Sequence, residues 1–264
     1  MHLTYANRLT SCSSARCLFP RTLSWALLIN LVLLATARAQ APLAVEVERF
    51  ATSYHTNPTR LDTIRRDLEQ LITTDAHAEH LAALARVCFI WGDIRAVTDD
   101  QRLAAYDRGR AVAMRAVELE PRNVQAHFWY ALNTARWGQT KGILRSLFLL
   151  ASVQEEIRTI LQLDAQFTPV YALAGHVYAE VPGLFGGDLQ KSEAMFRKGL
   201  EQDPRFTAMR VGLGKTLVKL GRFAEARREL QGVLEEQTPS NPADWAMRDT
   251  RDARELLASL KGQS

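Results

Sequence analysis

Five places in the chain hold residue types that could do chemistry. Gly212-Leu213-Gly214-Lys215-Thr216 ends like a phosphate-binding loop. That loop also needs a glycine at position 209, where the chain has Met209, and a strand leading into it. Both conditions fail, which removes the nucleotide reading. His77 and His80 are three residues apart and could share a metal, but no third His or Cys stands nearby and Glu79 points elsewhere on a helix. A solvated turn explains them better. Glu155 and Glu156 adjoin each other on a helix and face apart, so they are not a working acid and base pair. Cys88, between Val87 and Phe89-Ile90, reads as a small buried apolar residue. No Ser/His/Asp grouping has a local signature. The expectation is a non-enzymatic protein without metal or cofactor.

The fifth place is Ala126-His127-Phe128-Trp129-Tyr130-Ala131, with Asn133 and Arg136-Trp137-Gly138 beyond it. Ala126, Trp129, Tyr130, Asn133 and Trp137 fall at i, i+3, i+4, i+7 and i+11, the spacing of one helical stripe. An aromatic stripe of this kind is core, so His127, Trp129 and Tyr130 are read as a structural anchor. Arg136 could grip carboxylate oxygens in a fork while Trp137 stacks on the apolar part of the same ligand.

The elements that must position these residues are all helical, and no strand pattern of any length occurs. Asn57-Pro58 reads as a helix start, with Asn at the cap and Pro at the first position. Apolar periodicity then predicts helices over about 80–91, 99–120 and 124–137, with a break at 138–141. The apolar insert 143–150 reads as a short buried helix, followed by a helix to 163. Further helices follow from Pro169, over 189–202 behind an Asp188 cap, over 207–220 and 222–236, and a last one over 245–260 caps the stack.

Three helix pairs end alike, at Glu118-Leu119-Glu120-Pro121, Gln162-Leu163-Asp164-Ala165 and Glu201-Gln202-Asp203-Pro204, spaced by 44 and 39 residues. One further unit of 34, the tetratricopeptide period, reaches Thr238. The longer units carry inserts, at 138–150 and 182–187. Tyr171, Ala174-Gly175 and Tyr178, then Ser192, Phe196, Gly199 and Pro204, match the large, small and aromatic positions of such a repeat. The fold expected is an all-α, tetratricopeptide-like solenoid of helical hairpins with inserts between repeats. Each unit leaves an apolar face that only a neighbour buries.

The first 39 residues stand apart. Arg8, Arg16 and Arg21 precede an apolar run from Leu23 to Leu34, and Ala37-Arg38-Ala39 forms a cleavage pattern before Gln40. That is a secretory signal, with an uncleaved membrane anchor as the alternative. Residues 40–264 then make the repeat domain. The full chain has 33 basic and 29 acidic residues; residues 1–39 hold four arginines and no acid, so the remainder is balanced at 29 of each. A nucleic-acid partner has no electrostatic support in such a chain. Cys12 and Cys17 lie in the leading segment, which leaves Cys88 alone and excludes an internal disulfide from the repeat domain.

The anchor motif, together with Lys141-Gly142-Ile143-Leu144 and Pro182-Gly183-Leu184-Phe185-Gly186-Gly187-Asp188, resembles the T component of bacterial TRAP transporters over about residues 106–260. The His127-Phe128-Trp129-Tyr130-Ala131 core also resembles the regulator of microtubule dynamics proteins. The first resemblance implies a periplasmic or envelope helical scaffold, oligomeric, that meets a substrate-binding protein and handles small apolar or carboxylate ligands. The characterised bacterial form is a lipoprotein, and this chain lacks a cysteine at its cleavage pattern. The alternative is an envelope assembly scaffold with no transporter. In either case the groove positions of the repeat fall on Phe128, Leu132 and Arg136, with Trp137 beside them. They continue through Ala172, His176 and Glu180, and then Val211, Lys215 and Lys219. That surface suits a peptide, a partner helix or an amphipathic ligand.

Overall fold

The computed structural model describes residues 42–263, and residues 43–263 pack as one unit. The signal expected over 1–39 lies outside the described residues. Eleven helices follow one another among the described residues: α1 Pro42–Phe50, α2 Arg60–Thr74, α3 Ala78–Ile94, α4 Asp99–Leu119, α5 Val124–Lys141, α6 Ile143–Leu163, α7 Pro169–Glu180, α8 Leu189–Gln202, α9 Thr207–Lys219 and α10 Phe223–Glu235 complete the stack before α11. The last, α11, runs as Pro242–Asp244, a π-helical Trp245–Asp249, and Thr250–Ser259. No strand occurs among the described residues, as the periodicity predicts.

The hairpins α3–α4, α5–α6, α7–α8 and α9–α10 stack in sequence, so the first helices form an inner layer and the second helices an outer one. Cap chemistry sets their boundaries. Thr98 and Gln101 make a reciprocal capping box on α4, Asn123 Oδ1 accepts from the Ala126 amide at 3.1 Å, and Asp188 accepts from the amides of Gln190 and Lys191. Close approach of the layers depends on small residues. The fully buried Phe196 ring lies between Gly175 and Gly212, and a Cβ on either would come within 2.7 or 2.5 Å of ring atoms. The Gly212-to-Thr216 stretch is thus the middle of a packed helix and not a loop.

Three boundaries differ from the expectation. Asn57 closes a 3₁₀ turn, Tyr54–Thr56, and α2 begins two residues after Pro58, because the turn takes the cap position for itself. The break expected over 138–141 shrinks to Gly142 alone, whose φ of 105° lets the chain reverse between α5 and α6. The apolar insert is neither short nor buried: 143–150 forms the first two turns of the 21-residue α6, and Ile143, Leu144 and Phe148 are exposed. An i, i+4 stripe can bury only one face of a helix whose outer side meets no further layer.

Candidate functional site

The stack curls so that α11 returns to the start of the domain. The Tyr54 hydroxyl donates to Asp244, and Arg248 Nη1 lies 2.6 Å from Asp93 Oδ2, across 155 residues of sequence. Arg136 Nη2 meets the same Asp93 oxygen at 2.8 Å, and the Tyr106 hydroxyl donates to Asp93 Oδ1 at 2.6 Å. Arg248 Nη2 also pairs with Asp244 at 2.9 Å. This clasp joins α3, α4, α5 and α11. Burial alone would raise the Asp93 pKa, but Arg136 and Arg248 outweigh it and hold the carboxyl below its usual range. Burial and the neighbouring Asp93 both push the Tyr106 hydroxyl up, so it stays a donor.

The curl encloses a half-open cavity of about 770 Å³, within the size range of small-molecule sites. Leu147, Leu150 and Val153 of α6 and Leu173 of α7 are among its apolar lining. Its charged lining is mixed: Arg136, Lys215 and Arg248 gather near His176, and Glu180, Asp244, Asp249 and Asp252 lie among them. Lys215 Nζ pairs with Asp252 at 3.1 Å. His176 sets its ring edge against Phe196, centroids 5.1 Å apart. Burial first, then Lys215, Arg136, Arg248 and Lys219, lower its pKa to about 4, so the imidazole is neutral at pH 7. Asp249 accepts from Thr207 Oγ1 at 2.7 Å, yet burial lifts its pKa to about 6.

Eight of the groove residues expected from the repeat line this one cavity: Phe128, Leu132, Arg136, Ala172, His176, Glu180, Val211 and Lys215. Two do not. Trp137 follows Arg136 by one residue, about 100° around the helix, and so cannot share its direction. It faces the outer layer, with Arg110, Lys141 and Arg145 over its ring at 4.9–5.8 Å, and no ligand can lie between it and Arg136. Lys219 sits at the last turn of α9, past the cavity, where its Nζ donates to the Ala179 carbonyl at 2.7 Å. Among the anchor residues, Trp129 packs at a tilt against Phe89 and edge-on to Phe128, with centroids 5.8 and 5.0 Å apart, and also lines the cavity, while Tyr130 is half-buried against the core. His127 is buried; its Nδ1 lies 2.5 Å from Glu156 Oε2 and its Nε2 3.0 Å from the Pro121 carbonyl. A buried histidine with a carboxylate is the pairing a catalytic base would use. Here both ring nitrogens face acceptors away from the cavity, which makes the pair a tie between α5 and α6. His77 and His80 both turn to Asp75, and no metal-like grouping occurs among the described residues.

Sequence reasoning missed the α11 and α3 contributions: Arg248, Asp249, Asp252 and Asp93. A signal existed. Asp244, Arg248 and Asp252 follow at i, i+4 and i+8 behind an Asn241-Pro242 helix start, an alternation that marks one charged face. Nothing local tells that this face returns to Asp93.

The comparisons agree with this architecture. A tetratricopeptide-repeat model matches residues 186–248. TTC0263, a thermophilic tetratricopeptide protein of Thermus thermophilus, is 20% identical, with 83% of this chain and 98% of that chain covered and a TM-score of 0.61. MamA from Desulfovibrio magneticus RS-1 is 15% identical, with 73% and 94% covered and a TM-score of 0.47. No curated protein matches the chain in sequence. The molecule is therefore a tetratricopeptide-like helical scaffold, an architecture that serves protein–protein interaction. The model named Regulator of microtubule dynamics protein 1-3 matches residues 47–184, from α1 through the anchor helix to the loop after α7, and by that match over more than half its length the chain belongs to the regulator of microtubule dynamics family.

Proposed function

We propose that the chain is an exported, non-catalytic scaffold that holds a small amphipathic anion in its cup and works with a protein partner. The observation that carries this reading is one half-enclosed cavity that holds both apolar side chains and a cluster of Arg136, Lys215 and Arg248 near His176. An apolar tail would lie along Leu147, Leu150 and Leu173. A carboxylate would meet Arg136, Arg248 and Lys215, competing with Asp252 for the lysine and with Asp93 and Asp244 for the arginines. The resemblance to the TRAP T component supports a substrate-binding protein as the partner, a homo-oligomer, and a periplasmic or envelope site. A membrane anchor replaces free export where the leading segment stays uncleaved. The second reading, a purely protein-binding scaffold without a transporter, is favoured by the tetratricopeptide match over residues 186–248.

The test titrates an undecanoate carrying a dansyl group into the wild type and into Ala172→Trp, which places a bulky ring at the cavity wall. Saturable binding that Ala172→Trp abolishes, with its melting curve intact, is the expected result. No saturable binding, or equal binding by both, overturns the ligand reading and leaves the protein-binding one. N-terminal sequencing of the secreted-fraction protein should start at Gln40, and light scattering of that material reads its oligomeric state.

A further inference from the structure

Stacked hairpins place every turn from a first to a second helix on one edge of the solenoid. Two contacts tie these turns together: Gln139 Nε2 donates to Glu180 at 2.9 Å, and Lys219 Nζ donates to the Ala179 carbonyl. This edge carries a group of large exposed apolar side chains. Ile143, Leu144 and Phe148 at the start of α6 are 64%, 72% and 81% exposed, and Leu184 and Phe185 after α7 are 91% and 51% exposed. Ile143 and Pro182 also line the cavity, so the two tips flank its mouth. Single exposed apolar residues need no explanation, but five on two neighbouring tips do.

Around the α6 tip the charges have one sign, while Glu180 and Asp188 bracket the second tip and Gln139 holds Glu180. From residue 121 to 154 the chain holds Arg122, Arg136, Lys141 and Arg145 and no acid, and residues 181–187 hold no charge. Lys141 and Arg145 flank Leu144, and their cationic groups lie over Trp137 at 5.7 and 5.8 Å. Lys219 adds a third cation to the edge. A second copy of this chain is a poor cover. A two-fold contact through this edge would set Lys141 and Arg145 against themselves, and the apolar groups protrude from two tips without a facing groove. The α6 tip, apolar and flanked by Lys141 and Arg145 beside a second apolar tip, matches an anionic lipid surface, where the side chains enter the acyl boundary and the ammonium and guanidinium groups meet headgroups.

We propose that this edge is a membrane-docking surface: Ile143, Leu144, Phe148, Leu184 and Phe185 insert into an anionic bilayer, and Lys141 and Arg145 bind its headgroups. The cavity mouth then faces the lipid. The test is hydrogen exchange of the full chain with vesicles of phosphatidylcholine, with and without phosphatidylglycerol. The amides of residues 143–145 precede the first α6 bond, Ser146 to the Gly142 carbonyl, so they exchange readily and report locally. Attachment through residues 1–41 would leave them unchanged. The expected result is slowed exchange at 143–148 and 183–187 with the anionic vesicles alone, diminished by salt. Leu144→Ser/Phe148→Ser/Phe185→Ser, all at exposed positions, should weaken that protection about tenfold or more. Lys141→Gln/Arg145→Gln should abolish the preference for anionic lipid. Unchanged exchange at these segments while the protein sediments with vesicles overturns the proposal. So does protection that grows with protein concentration without lipid, which would make the edge a self-association surface.

Discussion

Asp93→Asn should cost the fold about 3 kcal/mol. The substitution keeps shape and an acceptor for Tyr106 but removes the charge between Arg136 and Arg248. Two guanidinium groups then face each other across a neutral amide. Removing one partner of a fully buried ion pair costs roughly 3–5 kcal/mol. The Asp93 side chain is only 5% exposed, but Arg248 is 25% and Arg136 40% exposed, so water screens part of the loss. The value therefore sits toward the low end, about 2–4 kcal/mol. In a domain of this size that lowers Tm by roughly 4–16 °C. Adding Arg248→Met removes one of the opposed cations, so the double variant should be at least about 1 kcal/mol less destabilised than the sum of the two single ones. Because the clasp holds Asp93 below the usual carboxylate range, its contribution is present above that range and fades as pH falls through the lowered value. Urea unfolding and thermal melts of the four proteins at pH 7 measure all of this. A Tm drop under about 2 °C for Asp93→Asn, or additivity within about 0.5 kcal/mol, would refute the idea that the clasp closes the cup.

Two cavity groups should show opposite pH dependence. Asp249 has its pKa raised to about 6, so its ionised form opposes folding, and stability falls as pH rises through the window between its unfolded value and 6. Asp249→Asn should thus gain up to about 3 kcal/mol over wild type at pH 7, with the gain vanishing below about pH 4 in melts run across that range. His176 has its pKa lowered to about 4, so its neutral form is favoured and stability is lost as pH falls from the unfolded value toward 4. His176→Asn should remove that acid loss, again up to about 3 kcal/mol, read as a smaller Tm drop between about pH 7 and pH 4. Phe196→Ala should cost roughly 3–5 kcal/mol in urea unfolding, because its ring fills the close approach between Gly175 and Gly212. A cost under about 1 kcal/mol would mean the layers close without it.

The sequence alone determined the helical hairpins, their order and their stacking, since apolar spacing of three and four residues, caps such as Asp188, and small residues such as Gly175 and Gly199 are local facts of covalent order. It also determined which first helices face inward, which is how Phe128, Leu132, Arg136, His176, Glu180 and Lys215 could be named together. The tertiary structure alone decided two things. One is direction: Trp137 belongs to the aromatic stripe by spacing, but the outer layer and its cations claim it. The other is closure. Curvature accumulates in small steps from pair to pair, and no pair carries a mark of where the sum will lead. Only the sum brings Arg248 to Asp93 and Tyr54 to Asp244, and so turns an open groove into a cup.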